Sequence, residues 1–151
     1  MKEAPAELPD GRGLRVAVLR ARFNRGIVDG LSEGAEAALT EMRVAHVLVA
    51  EVPGSFELPL AAKAAAASGR FDAVVALGAV IRGDTYHFDV VANESARGVM
   101  DVMLEFGVPV ANGILTTDDE RQAAARLEKG AEAVRVAVEM ARLKSQLHEA
   151  R

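Results

Sequence analysis

One stretch constrains this chain more than any other: Val74-Val75-Ala76-Leu77-Gly78-Ala79-Val80-Ile81, followed by Arg82-Gly83-Asp84-Thr85-Tyr86-His87-Phe88. Its apolar half is too short and too β-branched for a helix, and it has no polar face. It therefore reads as a strand buried on both sides. Gly83 breaks the run, Asp84 and Thr85 supply side chains that favour a helix N-cap, and Phe88, Val91, Ala92, Ser95, Val99, Val102 and Phe106 recur at helical spacing. A strand feeding a glycine turn and then a helix N-terminus aims backbone N–H groups at one point, an arrangement suited to a phosphate. His87 stands at that helix start, and histidine is the residue type that most readily exchanges protons near neutral pH. The same pattern also fits an ordinary βα connection with a surface histidine.

The remainder of the chain repeats the strand–helix alternation. Leu14–Leu19 reads as a first strand, and Ile27, Val28, Leu31, Ala35, Ala38, Leu39 and Met42 form a helical stripe after it. Val44–Val49 reads as a second strand, Val52–Glu57 as a turn, and Pro59–Ala67 as a helix, with Pro59 at the first helical position and Ser68-Gly69 as its stop. Gly107–Val110 opens a fourth strand that runs to about Leu115. Thr117-x-x-Glu120 has the form of a capping box. Beyond it Ala123, Leu127, Ala131, Val134, Val138 and Ala141 keep one helical phase, with Gly130 as the only breaker, so the spacing predicts one continuous or mildly kinked helix from about 118 to 146. Residues 1–13, with two prolines and several charges, read as an arm or frayed terminus ahead of a single domain over 14–151.

Four strands alternating with helices predict an α/β three-layer sandwich, a four-stranded parallel sheet of flavodoxin-like order 2-1-3-4 flanked by helices. Ligands of such sheets bind beyond the carboxyl ends of the strands, where strands one and three diverge. The loops leaving those ends are Arg22-Phe23-Asn24, Pro53–Glu57, Ile81–His87 and Asn112–Thr117. All the chemically unusual residues lie there.

Composition narrows the functional classes. The formal net charge of −4 leaves no basic stripe for nucleic acid. There is no cysteine, and the three histidines (His46, His87, His148) show no ligand spacing, so no metal site is expected. The first residues, Met1-Lys2-Glu3-Ala4-Pro5, lack a signal peptide's apolar run, and no stretch approaches a membrane span, so a soluble cytoplasmic protein is expected. The end of strand one carries Arg20-Ala21-Arg22 where a receiver domain needs clustered acids and a flavodoxin a hydroxyl-rich loop. No GxGxxG or GKS follows a strand, which removes the Rossmann and P-loop readings.

Taken together the loops resemble the lumazine synthase family. The matching segments, in the family's order, are Arg22-Phe23-Asn24; Val52-Pro53-Gly54-Ser55-Phe56-Glu57-Leu58-Pro59; Gly78-x-Val80-Ile81-Arg82-Gly83-Asp84-Thr85-x-His87-Phe88-Asp89; and Gly113-Ile114-Leu115-Thr116-Thr117 with Gln122, Ala123 and Arg126. The resemblance implies condensation of a ribitylamino-pyrimidinedione with a four-carbon dihydroxybutanone phosphate, the penultimate step of riboflavin biosynthesis, without cofactor or metal. It implies that Phe23 stacks on the pyrimidine and that Glu57 accepts hydrogen bonds from the ribityl hydroxyls. Ser55, Phe56, Ala79, Val80 and Ile81 would frame the ring, and Asn112 would form part of the wall over it. Asp84 and Thr85 would bind phosphate through backbone N–H groups, Arg126 would contact the same phosphate, and His87 would transfer protons. It further implies a homo-oligomer, pentamer or multiple of pentamers, with sites shared between subunits. The chain departs from the family's pattern at two places. Asn112 stands where an aromatic residue is usual, and the segment after Arg126 is several residues short, which leaves Lys129 matched by its Lys-Gly context at a changed distance. A slow homologue serving as a flavin- or lumazine-binding assembly is the alternative that those departures leave open.

Overall fold

The computed structural model describes residues 7–149; the start of the expected arm and the segment Met1–Pro5 lie outside the described residues. Strands β1 (Arg15–Ala21), β2 (His46–Val52), β3 (Ala73–Ile81) and β4 (Val110–Thr117) form one parallel sheet in the order β2-β1-β3-β4. Helices α1 (Arg25–Glu41), α2 (Leu58–Ala67), α3 (His87–Phe106), α4 (Glu120–Ala124) and α5 (Lys129–Glu149) join and cover it, with a 3-10 turn at Ser55–Glu57 ahead of α2. This is the three-layer α/β sandwich read from the alternation of elements.

The period-2 pattern of β1 divides the core. Val16 and Val18 point to the layer of α1 and α5, whereas Ala17, Leu19 and Ala21 point to the layer of α2 and α3. β3 is buried on both faces from Ala73 to Val80, as its uninterrupted apolar run requires. The helical stripes are buried as spaced: Ile27 to Met42 on α1, and Ser95, Val99 and Val102 on α3 with Phe88, Val91, Ala92 and Phe106 packed alongside. At the sheet edge β2 leaves Val47, Leu48 and Val49 exposed.

Several boundaries move. β1, β2 and β4 extend about two residues past the apolar runs, because Arg20, Glu51, Thr116 and Thr117 continue the ladder although their side chains carry no apolar signal. The capping box also shifts. Thr117 is still paired with Ile81, so its hydroxyl donates to the Asp119 carbonyl (3.0 Å), and Asp119 becomes the N-cap, accepting from Gln122 N (2.8 Å). Asp84 and Thr85 do not cap α3. The N-cap position falls on Tyr86, and Thr85 Oγ1 accepts only a long 3.4 Å contact from His87 N.

The continuous helix from 118 to 146 is not formed. α4 ends at Ala124, residues 125–128 turn, and α5 starts at Lys129. Through this turn the bonds close over three residues instead of four: Arg126 N to Ala123 O (3.0 Å), Lys129 N to Arg126 O (3.1 Å), Gly130 N to Leu127 O (3.2 Å). The stripe survives because a three-residue step keeps Leu127 and Ala131 on the buried side. The cause of the redirection is packing: α5 must begin against α1, where Gly130 lies on the Leu31 backbone.

The described part of the arm is tied down. Gly11 is buried and donates its N–H to the Met42 carbonyl (2.7 Å), and Arg142 donates to the carbonyls of Asp10 (2.8 Å) and Arg12 (2.6 Å). No helix among the described residues is long and apolar enough to cross a membrane.

Candidate active site

The loops leaving β1, β2 and β3 converge on a cavity of about 450 Å³. Phe23, Ser55, Phe56, Glu57, Ala79, Val80, Ile81, Thr85 and His87 all line it. Phe23 and Phe56 are 71% and 53% exposed, too open for core residues and placed as flat apolar faces for a planar ring. Glu57 closes the 3-10 turn, and its Oε1 folds back to within 3.3 Å of where a Cβ on Gly54 would stand.

Two local devices bring these loops together. Asn24, between β1 and α1, takes the left-handed conformation (φ 61°, ψ 48°), and its Nδ2 donates to the Ala79 carbonyl at 2.8 Å. Asparagine tolerates that backbone better than other non-glycine residues. Backbone bonds from Arg22 N to Val52 O (2.8 Å) and from Phe23 N to Pro53 O (3.1 Å) then tie the β1 exit to the β2 exit. The second device is Gly78 in β3. A Cβ there would collide with Ser55 Oγ, so the glycine admits the buried Ser55 side chain and lets the 53–57 loop lie across the strand. Among the described residues Ser55 Oγ has no hydrogen-bond partner. An asparagine between a strand end and a helical stripe is a recognisable sequence signal for this backbone.

Asp84 does not line the cavity, while its neighbours Gly83 and Thr85 do. His87 is exposed at the first position of α3, beside Phe88, which also lines the cavity.

Asn112 and Arg126 are not brought to this cavity. They line a second one, also about 450 Å³, at the β4 edge with Thr116, Thr117, Glu128 and Lys129. Arg126 Nη1 donates to the Gln122 carbonyl at 2.8 Å, and Asn112 Oδ1 accepts from Ile114 N at 3.0 Å. The turn at 125–128 brings Lys129 into this cavity beside Arg126. The two cavities have no lining residue in common. Among the described residues no group of three or more His, Cys, Asp or Glu side chains could hold a metal ion.

A family model described as 6,7-dimethyl-8-ribityllumazine synthase matches residues 13–145 of the chain. Among curated proteins, the chain is similar to the 6,7-dimethyl-8-ribityllumazine synthase of Nitrosomonas europaea, 55% identical over 137 residues that cover 89% of this chain and 84% of that protein. The protein of the same name from Chromobacterium violaceum is 54% identical over 136 residues, 88% of each chain. That of Burkholderia multivorans is 50% identical over 137 residues, 89% of this chain and 80% of its own.

Proposed function

This chain belongs to the 6,7-dimethyl-8-ribityllumazine synthase family, and from that premise we propose that the cavity lined by Phe23, Glu57 and His87 is where its chemistry takes place. The enzyme is a transferase of riboflavin biosynthesis that condenses 5-amino-6-(D-ribitylamino)uracil with 3,4-dihydroxy-2-butanone 4-phosphate to give 6,7-dimethyl-8-ribityllumazine.

The observation that carries the assignment is the convergence of three separate loops on one cavity with this particular set of groups. Phe23 stacks on the pyrimidine, and the backbone of Ser55-Phe56 and Ala79-Val80-Ile81 pairs with its donors and acceptors. Glu57 accepts from the ribityl hydroxyls. The phosphate lies at the 83–85 turn, held by backbone N–H groups and the Thr85 hydroxyl. The substrate amine attacks the ketone and one water leaves as the imine forms; phosphate is then eliminated, and ring closure by the ribitylamino nitrogen on the remaining carbonyl releases a second water to give the product. Each step moves a proton, and His87 is the group in the cavity suited to take and return it. Holding two substrates together supplies much of the remaining acceleration. No side-chain nucleophile and no cofactor enters this scheme.

Arg126 and Lys129 complete the phosphate site from an adjacent subunit, with Asn112 at the wall over the pyrimidine. The disjoint lining of the two cavities supports this, because neither cavity alone has both the proton carrier and the cations. The exposed apolar residues Leu60, Met100, Leu104 and Val47–Val49 support an extensive homo-oligomer, a pentamer or multiple of pentamers. A cytoplasmic location goes with these small, water-soluble substrates.

Complementation tests the whole reading. His87→Ala should slow formation of the lumazine chromophore by about one to two orders of magnitude, the usual contribution of an acid–base group. Arg126→Ala should chiefly raise KM for the phosphate substrate. Mixed oligomers of the two variants contain some sites with both residues intact, so unfolding and refolding them together should restore part of the activity. Full activity in His87→Ala, or no recovery in verified mixed oligomers, would contradict the assignment.

A further inference from the structure

α3 begins without a side-chain cap: Tyr86 occupies the N-cap position, and the Thr85 contact to His87 N is long at 3.4 Å. Yet His87 is the first residue of that helix, where fraying is easiest. The turn is held from outside by Arg82, which leaves the end of β3. Its guanidinium lies over the Phe88 ring at 4.4 Å, and Nη1 is 3.9 Å from Asp89 Oδ1. Its Nε donates to Asp118 Oδ1 at 2.9 Å, and its backbone N–H donates to the Thr117 carbonyl at 2.9 Å. One side chain thus grips the two residues that follow His87 and anchors them to the first residue beyond β4. Phe88 packs on the α2–α3 core layer, so its ring is held on two sides.

The anchor is itself fixed. Asp118 N donates to Gln122 Oε1 at 2.7 Å, and the Gln122 carbonyl accepts from Arg126 Nη1 at 2.8 Å. The contacts therefore run without a gap from the start of α3 to the cavity of Arg126.

We propose that Arg82 is a positioning residue for the condensation, holding the first turn of α3, and through it His87, against the carboxyl end of β4. This rests on the role given to His87 above. Arginine suits the task because its planar fork addresses separate carboxylates from different nitrogens while its face covers a ring; a lysine ammonium cannot do both. Exposed ion pairs of this kind contribute little to global stability. Loss of Arg82 should therefore loosen the turn without unfolding the domain.

The test compares Arg82→Lys, Arg82→Gln, His87→Ala and the Arg82→Gln/His87→Ala double variant in steady-state kinetics with both substrates. A misplacement of about 1 Å can cost about a hundredfold in rate, so a loosened turn should lower kcat about tenfold in both Arg82 variants. KM for each substrate should stay within about twofold, with oligomer size and unfolding midpoint unchanged. In the His87→Ala background, Arg82→Gln should add no further loss. If Arg82→Gln fails to fold, Arg82→Lys alone decides by the same criteria. The proposal is overturned if both Arg82 variants keep kcat while His87→Ala loses it. It is also overturned if the effect falls only on KM for the phosphate substrate, which would make Arg82 a ligand. A full additional loss in the double variant would overturn it too, showing that Arg82 acts independently of His87. Full activity in His87→Ala would instead bring down the site assignment, and this proposal with it.

Discussion

Replacing Gly130 by alanine should destabilise the fold and distort the cationic cavity together. Gly130 is buried in the first turn of α5, against the backbone of α1. A Cβ at that position would stand 2.7 Å from the Leu31 carbonyl carbon and 3.0 Å from its Cα, with the carbonyl oxygen closer still. The obstacle is main chain, and Leu31 is fully buried, so no side chain can rotate aside. α1 and α5 would have to part. Helix propensity alone favours alanine here by about 1 kcal/mol. Overpacking that side chains can absorb costs about 1–3 kcal/mol, and a clash with helix backbone belongs at or beyond the upper end. The net loss is therefore about 2 kcal/mol or more. At about 2–4 °C per kcal/mol for a chain of 151 residues, Tm should fall by at least about 4–8 °C. The measurement is thermal unfolding at fixed protein concentration, since assembly makes Tm concentration-dependent. Gly26→Ala is the control: nothing lies within 4 Å of a Cβ there, so its Tm should hold or rise slightly. Because Lys129 adjoins Gly130, KM for the phosphate substrate should rise in Gly130→Ala more than KM for the pyrimidine. A Tm at or above the parent's would refute the reasoning and show that α1 and α5 separate without cost.

Lys129→Ala should raise KM for the phosphate substrate while leaving kcat nearly unchanged, as loss of a cation that binds ground state and transition state alike would do; an effect confined to the pyrimidine substrate would remove Lys129 from the phosphate site. Side-chain and backbone hydrogen bonds from Arg12 lower the Asp10 carboxyl from 3.8 to about 2. A lowered folded pKa contributes stability above the unfolded value and loses it as pH falls through the folded one. The Asp10–Arg12 contact should thus persist from pH 4 down to about 2 and open below that. The Asp10 carboxyl resonance followed by NMR should titrate with a midpoint near 2, and a midpoint at the ordinary carboxylate value would show the contact absent in solution.

What could be read from the chain was set by side-chain period and by turn chemistry. The double-sided burial of β3, the stripes of α1 and α3 and the strand order all follow from apolar spacing and right-handed crossovers. The residues that line the first cavity were legible because unusual residues had gathered at strand ends. The break in the last helix was not. Its residues have helical propensity and helical phase, and the interruption depends on where α1 lies, a tertiary fact absent from local sequence. Gly130 was legible as an anomaly within the stripe, and its cause is a close approach of two helices. The capping box failed for a similar reason. Whether Thr117 or Asp119 begins the helix depends on how far β4 pairs with β3.

The separation of the two cavities follows from the layers. After β1 the chain crosses to the α1–α5 layer, whereas after β3 it crosses to the α2–α3 layer. The loops leaving these adjacent strands therefore part, and the gap between them is the cavity that Phe23, Ile81 and His87 line. β4 is the outer strand, and the chain beyond it returns through α4 and the 125–128 turn to the α1 side. Arg126 and Lys129 are thus left at the β4 edge, with the whole β3 exit between them and the β1–β3 gap. Moving the turn toward the first cavity would pull α5 off α1 at Gly130. In the proposed shared site, a phosphate held by both His87's cavity and these two cations would lie between two copies of the chain. Under that proposal assembly would be a condition of catalysis, and dilution to monomers should abolish activity before it unfolds the domain.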